Sequence, residues 1–218
     1  MQKIFKSFIA GLLLLSTTAC QSPAQAGESM TDQQVAQTES PQADPTDQPA
    51  SEPEGDPVVL GEFSDMTGYG LPEDQTTFVN SRFSEIMEMV DEKKSFVMYL
   101  GHDTCDWCQR AVPVLYQAAQ ELEAPVYYIN TDNAFAWTSE DQTESFNRFL
   151  ELVKEDMSTD ESGEKALYLP FVVFFRNGAV IDAHTGTLDY DNLDTEFTDE
   201  MKGELKQIYY TGFIRAGV

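Results

Sequence analysis

The chain has 218 residues, of which 38 are Asp or Glu and 13 are Lys or Arg, giving a formal net charge of −25. Nucleic acid is not expected as a partner, because affinity for phosphate backbones depends on Lys and Arg displacing counterions. An apolar fraction of 41% with 14 Phe and 9 Tyr supports a packed core, whereas three cysteines are too few for a disulfide-dense scaffold.

The first 19 residues have the layout of a secretory signal peptide. Lys3 and Lys6 precede an apolar run from Phe8 to Leu15, and small residues follow at positions 16–19. The run is too short to span a bilayer, which needs about 20 apolar residues. We therefore expect the mature protein to lie outside the cytoplasm.

The end of this segment, from Leu15 to Cys20, resembles a bacterial lipobox, in which the cysteine is lipidated and becomes the mature N-terminus. Thr17 stands where that motif usually has Leu. The resemblance implies a lipid anchor on Cys20 and attachment to the cell membrane. Ala24–Gln25–Ala26 matches a signal-peptidase site, so a secreted, soluble product stays open as the alternative. Either way, the folded part retains one cysteine pair.

Residues 20–56 are predicted to form a lipidated N-terminus and a disordered acidic tether. From residue 21 on, this segment contains five prolines, eight acidic residues, no basic residue and no aromatic residue. It cannot bury enough apolar surface to offset its ordering entropy. Residues 57–218 then form the domain and hold most of the negative charge.

Hydrophobic periodicity predicts an α/β domain with a mixed sheet. Strands are predicted at Phe78–Val79, Phe96–Leu100, Val126–Asn130, Phe171–Phe175 and Ala179–Ile181. Helices are predicted at about 81–92, at about 105–123 and from Ser139 on. A last helix is predicted after the N-cap Thr198, with one face formed by Phe197, Met201, Leu205 and Ile208. Residues 158–165 are predicted to form a loop. The order from 96 to 130 is that of a parallel βαβ unit, whereas Asn177–Gly178 predicts a tight antiparallel hairpin.

Cys105-Asp106-Trp107-Cys108 lies where a buried strand ends and a helix begins. Free N–H groups and the helix dipole at that point stabilise a thiolate, so we expect a lowered pKa for Cys105. Cys108 lies on the same side of the first turn, where it can close a disulfide or resolve a mixed disulfide. A structural disulfide is an alternative. Another alternative is a metal site in which His102 and His184 join the two cysteines as ligands. The sequence lacks the compact second ligand pair that zinc sites usually have, so no metal is predicted.

From Phe78 to the C-terminus the chain resembles the thioredoxin superfamily. The resemblance is carried by the CxxC pair, by Pro113 five residues later, by Leu169–Pro170 before a strand, by the stretch FVVFFRNG and by Gly186. It implies a thioredoxin-like fold with a helical insertion before a cis-proline, and thiol-disulfide oxidoreductase activity. Cys105 would be the nucleophile and Cys108 the resolving cysteine, Leu169 and Pro170 would bind substrate, and no diffusible cofactor would be needed.

A narrower resemblance is to the bacteriocin-associated thioredoxin-like lipoproteins of Gram-positive bacteria. It rests on the wording FVMYLGHDTCDWC and VYYINTDN and on the helical insertion. It implies substrates among secreted proteins or peptides, including small cationic bacteriocins, an accessory role in their production or in cell redox homeostasis, and a redox partner protein.

Two departures from thioredoxin affect the expected chemistry. Tyr99 stands where thioredoxin has a buried Asp, so a carboxylate general base is missing there. Asp106 and His102 are predicted to modify the pKa of Cys105. The negative charge of Asp106 disfavours the thiolate that the helix dipole favours. Because these two effects oppose each other, the direction of the redox reaction stays open. Trp107 is predicted to contact substrate or to shield the pair. The alternative function is a non-catalytic accessory or chaperone module displayed at the cell surface.

Overall fold

The structure, a computed structural model, describes residues 61–132 and 140–218. The predicted signal peptide, the lipidation site Cys20 and the predicted tether lie outside the described residues, as does Ser139, the predicted start of the third helix. All described residues lie in one unit, Ala50–Val218. In the described ranges, no helix combines the length and the apolar character that a membrane crossing needs.

Strands and helices alternate along the first half of the described chain. The helices are α1 (Phe83–Asp91), α2 (Asp106–Glu121), α3 (Glu140–Val153) and α4 (Asp199–Ala216). The strands are β1 (Phe78–Asn80), β2 (Phe96–Gly101), β3 (Val126–Asn130), β4 (Ser158–Thr159), β5 (Lys165–Ala166), β6 (Phe171–Arg176) and β7 (Ala179–Thr185). Short 3-10 turns occupy Thr67–Tyr69 and Lys154–Asp156.

One mixed sheet has the strand order β1-β3-β2-β6-β7. The central strand β2 runs parallel to β3 and antiparallel to β6. The β6–β7 hairpin turns at Asn177 and Gly178, whose φ angles of 52° and 76° are those of a tight hairpin turn. The predicted fold class is confirmed, since helices flank a mixed central sheet and α3 is inserted before the strand that follows Pro170.

The sheet separates two cores, because successive side chains along a strand point to opposite faces. We call the face covered by α2 and α4 the cysteine-side core; it includes Val97, Tyr99, Cys108, Leu115, Tyr128, Phe174, Tyr209 and Phe213. The opposite face, covered by α1 and α3, is the insertion-side core; it includes Phe83, Ile86, Met98, Leu100, Phe149, Phe171 and Phe175. Every residue of β2 is buried, as expected of a central strand covered on both sides.

The predicted loop at 158–165 is wrong, because β4 and β5 form a small antiparallel hairpin there. Thr159 pairs with Lys165, and the Asp160 carboxylate accepts hydrogen bonds from the main chain of Ser162 and Glu164. Strands of only two residues are too short to show hydrophobic alternation, so the sequence pattern could not reveal them.

The predicted buried face of α4 is partly wrong. Thr198 caps the helix as predicted, since its side chain accepts from the N–H of Met201 at 3.3 Å. Ile208, however, is 39% exposed, and the buried face continues through Tyr209 and Phe213. These positions follow Leu205 at intervals of four residues, which keeps them on one side of a helix.

Candidate active site

Cys105 is the N-cap of α2 and the first residue of the candidate site. Its backbone is extended, at φ −87° and ψ 117°, and its Sγ accepts the N–H of Cys108 at 3.3 Å. The sulfur thus takes the place that a Ser or Asp oxygen takes at most helix starts. Because Cys105 is only half-buried, its Sγ lies where both the helix N-terminus and an approaching substrate can reach it.

Cys108 lies one turn further on and is completely buried. Burial raises the pKa of its thiol, while the Tyr99 hydroxyl and the main chain of His102 act in the opposite direction by hydrogen bonding to the sulfur. Both cysteines are free thiols in this structure. The pair is therefore unequal, with one accessible sulfur and one enclosed sulfur that holds its proton.

The Leu169–Pro170 peptide bond is cis, as the sequence analysis predicts. Gly186 anchors this turn, since its N–H donates to the Pro170 carbonyl at 2.8 Å from a backbone with φ of 73°. A groove of about 290 Å³ opens beside it, lined by Trp107, Tyr168, Leu169, Thr185, Gly186, Thr187, Leu188, Asp189 and Asp191. The fold thus brings Leu169 to the same groove as Trp107, which follows Cys105 by two residues.

Arg110 joins α2 to the segment before α4, a contact that sequence reasoning missed. Its guanidinium ion-pairs with Asp191 and donates to the carbonyls of Asn192, Leu193 and Thr195. It also lies over the rings of Trp107 and Phe197, at 5.9 and 5.6 Å from their centroids. A single side chain thus supports one wall of the groove. In the sequence, the one hint of this role was a basic residue close to Trp107. That hint could not identify Asp191 as the partner of Arg110.

The two predicted modifiers of Cys105 are placed differently from each other. Asp106 is the exposed first residue of α2. The ring of His102 turns to the side, with Nδ1 at 2.7 Å from the Thr104 hydroxyl and 3.2 Å from the Asp132 carboxylate. The main chain of His102 contacts both cysteines: its carbonyl accepts from the N–H of Cys105 at 3.3 Å, and it also hydrogen-bonds to the Cys108 sulfur.

The alternative of a metal site with His102 and His184 finds no support in the geometry. His184 lies on β7, where its Nε2 donates to the Thr187 carbonyl at 2.6 Å and its ring meets that of Tyr209 edge-on. Across residues 61–132 and 140–218, no three His, Cys, Asp or Glu side chains are grouped to hold a metal ion.

A group of buried tyrosines behind Cys108 is the second feature that sequence reasoning missed. The hydroxyl of Tyr69 lies 3.0 Å from that of Tyr99 and 3.3 Å from that of Tyr128. The rings of Tyr99 and Tyr128 stack with centroids 5.2 Å apart. The departure at Tyr99 was visible in the sequence, but its two partners come from separate elements.

Together, this strand order, a dithiol at the start of α2 and a cis-proline before β6 define a thioredoxin-like fold. No family model and no curated protein matches the sequence. The fold assignment depends on the strand order and register described above.

Several solved thioredoxins are similar to this chain at low sequence identity. Thioredoxin from Aeropyrum pernix is 17% identical, over 59% of this chain and 85% of that chain, with a TM-score of 0.35. Oxidised thioredoxin from Plasmodium falciparum is 14% identical, over 62% of this chain and 99% of that chain, with a TM-score of 0.35. Oxidised thioredoxin O1 from Arabidopsis thaliana is 14% identical over the same shares, with a TM-score of 0.36.

Proposed function

We propose that the protein is an extracytoplasmic thiol-disulfide oxidoreductase that acts on cysteines of secreted proteins or peptides. The observation that carries the proposal is the unequal pair at the start of α2. Cys105 is half-buried and caps the helix, whereas Cys108 is enclosed directly behind it. A structural disulfide has no need for one accessible sulfur beside a groove, but disulfide exchange does.

In the reducing direction, the Cys105 thiolate attacks one sulfur of a substrate disulfide. A bond forms between Cys105 Sγ and that sulfur, the substrate S–S bond breaks, and the other substrate sulfur leaves as a thiolate that takes up a proton. Cys108 then loses its proton and attacks Cys105 Sγ, which releases the second substrate thiolate and closes the Cys105–Cys108 disulfide. Two electrons have passed from the dithiol to the substrate, and the same steps in reverse oxidise a substrate dithiol.

The groove supports a proposed substrate class of cationic, extended peptides. Leu169 and Trp107 offer apolar contacts, and the groove wall carries the exposed carboxylate of Asp189. Asp103 and Asp106 add exposed negative charge beside Cys105. Since opposite charges speed encounter and disfavour wrong partners, basic peptides are favoured over acidic ones. Small cationic bacteriocins, which the narrower resemblance implies, have this chemistry.

We place the protein at the outer face of the cell membrane, held by a lipid on Cys20. The lipobox-like segment and the acidic, proline-containing stretch behind it support this location.

Single cysteine variants test the proposal with a basic peptide that contains one disulfide. We expect Cys108→Ser to accumulate as a mixed disulfide with the peptide, whereas Cys105→Ser does not, because only Cys105 is accessible. The double Ser variant is the control for non-covalent binding. Binding without turnover by the wild-type protein would favour an accessory or chaperone module, and equal trapping by both single variants would remove the assigned roles.

A further inference from the structure

The buried cysteine of the dithiol cannot give its proton directly to water, because Cys108 is completely enclosed. Resolution of a mixed disulfide nevertheless requires Cys108 to become a thiolate. The position on β2 where thioredoxin has a buried Asp is occupied here by Tyr99, so no carboxylate can take up the proton there. The proton must therefore leave through neighbouring side chains.

The Tyr99 hydroxyl is the first group on that route. Tyr99 is fully buried on β2, and its hydroxyl lies beside Gly101, the last residue of that strand. Gly101 makes room for it, since a Cβ at Gly101 would lie 2.1 Å from the Tyr99 hydroxyl. Tyr99 packs in the same core as Cys108, and an interaction with the Tyr99 hydroxyl lowers the pKa of the Cys108 thiol.

Two further hydroxyls continue the route toward the surface. The Tyr69 hydroxyl is 3.0 Å from Tyr99 and 3.3 Å from Tyr128, so it can accept from one and donate to the other. The Asp103 carboxylate lies against Gly68, the residue before Tyr69, because a Cβ at Gly68 would meet it at 2.1 Å. Asp103 and Asp132 are both exposed, and their charges act on Tyr128.

We propose that the hydroxyls of Tyr99, Tyr69 and Tyr128 form a proton relay between Cys108 and the protein surface beside Asp103 and Asp132, a role that rests on the proposed oxidoreductase function. As Cys108 attacks Cys105, its proton passes to Tyr99 while the Tyr99 proton passes to Tyr69. The Tyr69 proton passes to Tyr128, and the Tyr128 proton passes to solvent. Each hydroxyl ends with one proton, so no tyrosinate accumulates, and the reverse shift reprotonates Cys108 when its disulfide is reduced.

The other groups that face Cys108 define the control. These groups are Tyr99 from β2, Tyr69 from the Thr67–Tyr69 turn, Tyr128 from β3, Tyr209 from α4, Cys105 on the same helix and the main chain of His102. Tyr209 is buried like Tyr99, but among the described residues its hydroxyl has no hydrogen-bond partner. It is therefore a buried tyrosine near the same sulfur that is outside the relay.

The test follows two steps of one reaction by the release of thionitrobenzoate from its symmetric disulfide. The first release reports attack by Cys105, and the second reports attack by Cys108 on the Cys105 mixed disulfide. We expect Tyr99→Phe to slow the second release by about a hundredfold near neutral pH, as loss of a general base does, with the first release within about twofold of the wild type. The variant's second rate should rise with pH about in proportion to hydroxide, more steeply than in the wild type.

Tyr69→Phe and Tyr209→Phe separate a relay from simple packing. Tyr69→Phe leaves the contact between Tyr99 and Cys108 in place but removes the onward acceptor, so it should also slow the second release and steepen its pH profile. Tyr209→Phe should change neither. The relay is wrong if either Tyr99→Phe or Tyr69→Phe leaves the second release unchanged, or if Tyr209→Phe slows it equally. A wild-type protein that releases only one thionitrobenzoate would instead overturn the proposed function, and the relay with it.

Discussion

The guanidinium of Arg110 and the carboxylate of Asp191 form an ion pair 2.5 Å apart, in which the Asp191 side chain is completely enclosed and that of Arg110 is 16% exposed. Thr187 donates a second hydrogen bond to the same carboxylate at 2.7 Å. The pair closes one end of the groove next to Trp107. Of the acidic residues at 189–194, Asp191 is thus used within the fold.

Replacing Arg110 should therefore destabilise the domain strongly. We expect Arg110→Leu to lower the free energy of unfolding by about 3 kcal/mol, because it leaves the enclosed Asp191 charge without its partner. Urea denaturation followed by circular dichroism measures the change. Arg148→Leu is the matched control, since Arg148 pairs with Asp91 on the surface, where an exposed ion pair contributes little to stability. Similar losses for both variants would contradict the importance of enclosure.

Two glycines of α4 should respond in opposite directions to alanine. A Cβ at Gly212 would lie 2.4 Å from the buried ring of Phe174, whereas a Cβ at Gly203 meets nothing within 4 Å. Gly203→Ala should stabilise the protein by up to about 1 kcal/mol through helix propensity. Gly212→Ala should destabilise it by about 1–2 kcal/mol despite the same gain, because the ring must move in a packed core. Thermal unfolding of both variants checks the pair, and stabilisation by Gly212→Ala would show that Phe174 has room to shift.

His184 should make stability depend on pH below its ordinary pKa of 6.5. Burial lowers the pKa of His184 in the folded protein, so the unfolded chain binds a proton there at a higher pH than the folded chain does. Stability is therefore complete above 6.5 and falls as pH drops below it, by at most about 1.4 kcal/mol per pH unit.

The matched variant His184→Gln keeps an N–H donor near the Thr187 carbonyl but does not titrate. Urea denaturation of both proteins between pH 7 and 5 should show a smaller loss for the variant. Groups such as Asp65, whose pKa is lowered from 3.8 by hydrogen bonds from Thr67, act only at lower pH. Equal losses for the two proteins would mean that His184 is not protonated on unfolding in this range.

Cys20 should determine whether the mature protein fractionates with membranes. We expect the wild-type protein in the membrane fraction and Cys20→Ala in the soluble fraction, because one lipidated residue is the proposed anchor. Immunoblotting of the two fractions and N-terminal sequencing provide the measurement. A mature N-terminus at Gly27 would contradict lipidation and favour cleavage after Ala26.

The sheet and the position of the dithiol could be predicted because their signals are local. β2 is a continuous apolar run, the β6–β7 turn is written as Asn177–Gly178, and the CxxC follows a strand directly. The tyrosine group behind Cys108 and the Arg110 pair could not be predicted in this way. Tyr69 is 30 positions from Tyr99 and 59 from Tyr128, and Arg110 is 81 positions from Asp191. Such contacts exist only after the chain has folded.

Ile208 illustrates a different limit of the sequence pattern. An apolar residue three positions after Leu205 fits the helical period as well as one four positions after it does. The choice between Ile208 and Tyr209 depends on where the sheet lies relative to α4, and the structure places Tyr209 inward, against His184. Periodicity predicts that a helix has a buried face, but it does not give the edges of that face.

The division of the interior into two cores has a consequence for how the sequence can vary. Substitutions that share no contacts have additive effects on stability, so changes in the insertion-side core and in the cysteine-side core should combine independently. The inserted helix α3 can thus diverge without altering the surroundings of the thiols. Leu169 is the exception, because it packs against both cores. A substitution in the insertion-side core that shifts Leu169 also changes the groove next to Pro170. At this residue, the substitutions that one core tolerates therefore depend on the side chains of the other core.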